Sequence, residues 1–146
     1  MAQNQQDTRV WDQIVRKMRK MSDGTHVRVG VFGNAAKAAA HEYGAPSINL
    51  PERSFLRLTF RKGADELEKM TTKIFNRFLE GQLSPKQALE LLGEWGIQAV
   101  RKTIRDQPEE WPPLSPVTIA RKGYKKDKIL IDTGELINSI AYKIAK

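Results

Sequence analysis

Two short stretches with a period of two, far apart in the sequence, constrain this chain most. In HVRVGVF, residues 26–32, Val27, Val29 and Val31 alternate with His26, Arg28, Gly30 and Phe32. In residues 139–145, Ile140, Tyr142 and Ile144 alternate with Ala141, Lys143 and Ala145. Such alternation puts every second side chain on one face of a strand. Each strand then has one apolar face to bury and no strand neighbour close in sequence. The simplest solution pairs the two in a small antiparallel or mixed sheet, covered on one face by helices from the intervening chain. The expected class is α+β: a small sheet packed against two long helices, with extended loops.

The helices are legible from their 3.6-residue periodicity. Val10, Trp11, Ile14, Val15 and Met18 recur at helical spacing over residues 7–21, with a basic opposite face and a stop at Ser22-Asp23-Gly24. Residues 35–43, AAKAAAHEY, read as a short alanine-rich helix ending at Gly44. A long helix is expected from about Ser54 to Glu80, with Leu67, Met70, Ile74 and Phe78 as its stripe and Gly63 as a kink point. Ser84-Pro85-Lys86-Gln87 carries a capping serine, proline at the first helical position and glutamine at the third. It opens a second long helix to about Asp106, with Ala88, Leu92, Trp95, Ala99 and Thr103 as the expected stripe. Gly93 and Gly96 each cost about 1 kcal/mol against alanine inside a helix, and they flank a tryptophan. A close approach by another helix, or a mild bend, accounts for them. Asp132-Thr133-Gly134-Glu135 reads as a helix start with Asp132 or Thr133 as cap.

Two irregular segments separate these elements. The first, HEYGAPSINLPERSFLR, runs from His41 to Arg57. Gly44, Pro46 and Pro51 interrupt regular structure, whereas Tyr43, Ile48, Leu50, Phe55 and Leu56 are apolar anchors. An irregular segment that long is uncommon in a small domain unless it has a function, so it reads as an ordered contact loop. The second, residues 107–128, holds Pro108, Pro112, Pro113 and Pro116, with Trp111 and Leu114 as anchors and one short helical turn in SPVTIARKG.

At 146 residues the chain fits one domain: a basic amphipathic helix over 1–24 followed by an α+β core over 25–146. No apolar run reaches the roughly 18 residues of a membrane span, and MAQNQQDTRVW lacks the basic-then-apolar order of a signal peptide. The absence of cysteine excludes disulfides and thiolate zinc sites. The formal net charge is +8, which favours nucleic acid or an acidic partner. It concentrates in two clusters: Arg9, Arg16, Lys17, Arg19 and Lys20, and Arg121, Lys122, Lys125, Lys126 and Lys128. Neither cluster has a recognition-helix or zinc-finger pattern, so DNA contact would be non-specific.

Nothing points to catalysis. His41-Glu42 is the only adjacent acid/base pair, and with His26 in a strand it lacks metal-ligand spacing; a loop histidine is the simpler reading. Asp132 with Glu135 fits a helix cap and a first-turn acid better than a carboxylate dyad. There is no glycine-rich phosphate loop, nucleophile elbow or nucleotide fingerprint. The expectation is a non-enzyme without cofactor or metal.

Two separated blocks, taken together, resemble a family. HEYGAPSINLPERSFLR is similar to the segment E-(F/Y)-G followed by (I/L)-P-x-R-x-F-(L/M)-R of tailed-phage virion morphogenesis proteins, also described as tail-completion, neck or head–tail joining proteins. LSPVTIARK followed by LIDTGELINSIAYKI is similar to their later signature, L-(S/A)-P-x-T-x-x-x-K and then L-x-D-T-G-x-L-x-x-S-I-x-Y. The blocks occur in the family's order, and the resemblance spans about residues 26–145. It implies a structural virion protein, assembled in the host cytoplasm, that forms a homo-oligomeric ring at the head–tail junction, six-fold in preference to twelve-fold. Connector and tail-tube or tail-terminator proteins would be its neighbours. In that role Glu42, Tyr43, Gly44, Pro51, Arg53, Phe55 and Arg57 would make subunit contacts, unless the loop packs within its own subunit. Asp132, Thr133, Gly134, Leu136 and Ser139 would fix the turn into the last strand. The basic clusters would face DNA in the channel or an acidic partner. Arg53→Ala or Phe55→Ala is then expected to impair assembly and leave a folded monomer. The alternative is a basic nucleic-acid-binding protein outside the virion.

Overall fold

A computed structural model describes residues 2–122, 128–131 and 134–146. Among these the order is α1 (Ala2–Met21), β1 (His26–Val31), α2 (Ala35–Tyr43), a 3-10 turn (Pro46–Ile48), α3 (Leu56–Lys62), α4 (Ala64–Leu79), α5 (Pro85–Asp106), α6 (Pro116–Lys122), α7 (Glu135–Asn138) and β2 (Ile140–Ala145). The fold is α+β. The two strands pair antiparallel, His26 opposite Ala145 through Val31 opposite Ile140. Residues directly opposite in such a pair project to the same side. Val27, Val29 and Val31 therefore share a face with Ile144, Tyr142 and Ile140.

Helix α5 lies across that face, and its glycines explain how. A Cβ added at Gly93 would sit 2.4 Å from Cγ of Tyr142, and one added at Gly96 would sit 2.7 Å from Cγ2 of Val29. Val29 and Tyr142 are cross-strand partners, so two glycines one helical turn apart seat the helix on one pair of sheet residues. The close approach inferred from sequence is real, but its partner is the sheet and not another helix. The buried stripe of α5 is Ala88, Gly93, Gly96, Ile97, Val100 and Ile104. Of the expected stripe Ala88 is buried, whereas Leu92, Trp95, Ala99 and Thr103 are only partly buried and flank the contact line. The glycines mark the line of contact, and a count of large apolar side chains passes over them. Ser84 and Gln87 form the expected capping box at the start of α5.

The helix expected from Ser54 to Glu80 is two helices. Gly63 ends α3 by donating to Thr59 O at 2.8 Å, and its own carbonyl accepts from Leu67 N at 2.9 Å to begin α4. Helix α4 buries Ile74 and Phe78 and packs against α5, so it joins the helical layer through α5. The main core gathers Ala38, Phe55, Leu58, Ile97, Val100, Ile104, Trp111, Leu136 and Ile140 from five elements, the α2–α3 loop and the proline-rich segment.

Helix α1 keeps much of its apolar stripe uncovered: Val10, Trp11 and Met18 are exposed. Lys17 ties it to the body, Nζ donating to Leu79 O at 2.6 Å. At the other end Gly134, with φ 82°, occupies the capping position of α7, and no side chain among the described residues caps that helix. Asp132 and Thr133, expected as the cap, lie outside the described residues, as do Lys125 and Lys126. Leu136 is buried, and Ser139 closes the turn into β2 with Oγ donating to Leu136 O at 2.6 Å.

Candidate functional site: a braced loop and a basic cleft

The loop that follows α2 owes its shape to residues that sequence reading assigned to a neighbour. Gly44 (φ 76°) turns the chain sharply, and a Cβ there would lie 2.9 Å from Glu52 N. Ala45 and Leu50 then exchange backbone hydrogen bonds, 2.8 Å and 3.1 Å, around the 3-10 turn. Arg53 N donates to His41 O at 2.8 Å, closing the loop onto the end of α2.

Glu42, on the last turn of α2 and only 3% exposed, is the cap of α3 supplied from elsewhere in the chain. Its carboxylate accepts from Phe55 N, Leu56 N and Arg57 N at 2.8–2.9 Å, and from Ser54 Oγ at 2.8 Å. The first amides of a helix lack internal partners, and an anion there also meets the positive end of the helix dipole. Burial pushes the Glu42 carboxyl up, but hydrogen bonds from Leu56 N, Arg57 N, Ser54 and Phe55 N hold it below the usual glutamate value. Arg57 completes the brace: its guanidinium reaches Glu42 at 3.1 Å and Glu52 at 2.9 Å and stacks 4.5 Å over the Tyr43 ring.

Arg53 is buried and pins the loop to the proline-rich segment, with Nε donating to Pro112 O and an Nη to Pro113 O, both at 2.9 Å. Two carbonyls that precede or belong to prolines cannot be satisfied by a regular ladder there, and a planar guanidinium serves both. Trp111 Nε1 donates to Ser54 O at 3.0 Å from the same segment. Phe55 is 0% exposed and belongs to the core. Glu42, Arg53 and Phe55 are therefore not free for subunit contacts, because their side chains are spent within the chain. The loop presents Tyr43 (64% exposed) and Ile48 (69%) outward, while Pro51 is half-buried. Ile48, apolar and the more exposed of the two, was noted in the sequence only as an anchor wanting burial.

Between this loop and the segment around α6 lies a cleft of about 720 Å³. Leu50, Pro51, Leu114, Pro116 and Leu136 contribute apolar wall, and Lys37, Arg53, Arg121 and Lys122 bring four cations against the carboxylate of Glu135. Several of these are already engaged. Lys37 Nζ pairs with Glu135 at 3.2 Å, and Asn34 donates to the same carboxylate at 2.6 Å. Lys122 Nζ donates to Lys128 O at 2.8 Å and Ile131 O at 3.0 Å, bracing the loop that returns to α7. His41 also lines the cleft, and its Nδ1 is buried with no hydrogen-bond partner among the described residues. Its burial, and then Arg53, Lys37 and Lys122 nearby, depress its pKa below the ordinary histidine value. It is a part-buried helical residue and not the surface or loop histidine expected. The roles of Lys37 and Asn34 left no sequence signal, because their partner Glu135 is far along the chain.

The basic residues expected to meet DNA or an acidic partner are placed differently from one another. Arg16, Arg19 and Lys20 are exposed on α1, whereas Lys17 is half-buried through its bond to Leu79. Arg121 and Lys128 are exposed. Among the described residues, no three His, Asp or Glu side chains gather to hold a metal ion, and no helix is long and apolar enough to cross a membrane. Comparison with protein-family models, curated proteins and solved structures finds no match.

Proposed function

We propose that this chain is a structural virion protein of a tailed phage that forms a ring at the head–tail junction. The observation that carries the reading is the meeting of its two sequence blocks. Arg53 of the first is bonded to the carbonyls of Pro112 and Pro113, immediately before the second. Residues of both blocks, Leu50 and Pro51 with Ser115, Pro116 and Leu136, line one cleft. Blocks that resemble one family's signatures thus form one structural unit.

The surface supports an assembling role. Tyr43 and Ile48 project from a loop held rigid by Glu42, Arg53 and Arg57, and α1 carries an uncovered apolar stripe with cations on its other face. Two unlike patches on one subunit suit the heterologous contacts that close rings, and exposed apolar patches mark interaction surfaces. The test is light scattering after size exclusion, with electron microscopy of the chain alone and mixed with connector and tail proteins. Ile48→Asp should abolish a six- or twelve-fold species, or the species formed with a partner, while circular dichroism stays unchanged. A chain that is monomeric under all these conditions and absent from purified particles overturns the proposal.

The exposed Arg16, Arg19 and Lys20 favour one second reading, a nucleic-acid-binding protein outside the virion. That reading requires DNA affinity that falls steeply with salt; no binding at about 50 mM salt, where such contacts are strong, removes it.

A further inference from the structure

We infer that the cleft between the α2–α3 loop and α6 is a docking site for a short extended acidic segment of a partner protein, with Arg121 as its free cation. This takes up the expectation that the basic cluster at 121–128 faces an acidic partner, and its test reads the isolated chain so that failure here leaves the assembly reading standing.

The cations of the cleft are not equivalent. Lys37 is paired with Glu135, Arg53 with two backbone carbonyls and Lys122 with two more. Arg121, exposed on the last turn of α6, makes no hydrogen bond or ion pair among the described residues. The tied groups still contribute their charge, so among the described residues the cleft is net positive around one unpaired guanidinium, whose flat fork suits a carboxylate.

The walls decide between kinds of anion. A volume of about 720 Å³ falls within the range of ligand-binding clefts, far larger than a single phosphate or carboxylate fills. A small anion would leave Leu50, Leu114 and Leu130 uncovered. Nucleic acid fits less well, because single strands bind by stacking bases on aromatic rings and the lining holds no Phe, Tyr or Trp among the described residues. An extended peptide alternates its side chains, so acidic residues can meet Arg121 while apolar ones rest on the leucines and prolines.

The experiment is fluorescence anisotropy with a labelled pentapeptide, Glu-Leu-Glu-Leu-Glu, blocked at both ends. It should bind saturably at low salt and lose about tenfold or more in affinity, roughly 1.4 kcal/mol, when its glutamates become glutamine or its leucines serine. Arg121→Glu should cause a similar loss, and Lys73→Glu, on the exposed face of α4, should cause none. The peptide changes leave the protein untouched, so a folding defect cannot imitate their effect. Equal binding of the glutamine peptide overturns the inference, as does full affinity in Arg121→Glu. Displacement of the peptide by inorganic phosphate or oligothymidine at lower concentration than by unlabelled peptide also overturns it, in favour of a small-anion or nucleic-acid site.

Discussion

Replacing Glu42 with alanine removes the acceptor of five hydrogen bonds, from Ser54 Oγ, the amides of Phe55, Leu56 and Arg57, and Arg57 Nε. Loss of a side-chain helix cap costs about 0.5–2 kcal/mol, and an orphaned buried donor adds about 1–3 kcal/mol. Phe55 N is the buried donor here, whereas the amides of Leu56 and Arg57 are part-buried and can turn to water. The expected loss is about 3–4 kcal/mol, with the half-exposed Arg57 guanidinium free to turn to water. Glu42→Gln keeps one oxygen but turns an amide NH₂ towards N–H donors, and should lose about 2 kcal/mol. Glu52→Ala, which breaks only an exposed bridge to Arg57, should lose about 0.5 kcal/mol or less. Urea unfolding followed by circular dichroism and tryptophan fluorescence, at two protein concentrations to separate folding from association, reads all three. The folded pKa of Glu42 lies below its unfolded value, so its stabilisation is complete above the unfolded pKa of about 4.3. That contribution fades as the pH falls through the folded value. The difference between the native chain and Glu42→Gln should therefore shrink in acid. A loss under about 0.5 kcal/mol in Glu42→Ala, the range of an ordinary surface substitution, refutes the capping argument, as does a difference between native and Glu42→Gln that is unchanged by acid.

Two further expectations follow from the packing. Gly93→Ala and Gly96→Ala should each destabilise by about 1–3 kcal/mol through overpacking despite alanine's better helix propensity, because the new methyl meets the rigid base of the Tyr142 ring or the branched Val29; chemical denaturation showing a gain would move α5 away from the sheet. Phe55→Ala should cost about 3–5 kcal/mol and Arg53→Ala about 2–3 kcal/mol for two charge-assisted bonds, with Arg53→Lys restoring less than half; thermal melts at native stability for either alanine variant would return these residues to the surface role the sequence suggested.

Periodicity made much of this fold legible. Both strands, the boundaries of α2 and α5, and the capping box stand in local sequence, because alternation, glycine stops and Ser-x-x-Gln spacing act over a few residues. The stripe of α5 was misplaced because its contact line runs through Gly93 and Gly96, which have no side chain to register as apolar. The site was half legible. Residues 44–55 do form an ordered loop, whereas 41–43 and 56–57 belong to α2 and α3, and Glu42 and Arg53 look like surface charges in sequence. Their burial depends on backbone groups they serve at a distance: the amides of 55–57 for one, and the carbonyls of Pro112 and Pro113 for the other. Charge alone does not reveal that, nor does it show that Arg121 is left free while Lys122 is not.

The pairing of β1 with β2 also dictates an order of events. Its innermost rung, Val31 with Ile140, can close only when everything between has been brought in, and loop-closure entropy rises with the length enclosed. Helices α3 to α5 close far shorter loops among themselves, so they can collapse early and offer the glycine groove of α5 as a template. The sheet is then expected to form late, as a seal laid onto a prebuilt helical layer. Until the seal closes, the apolar faces of both strands stay open to other chains.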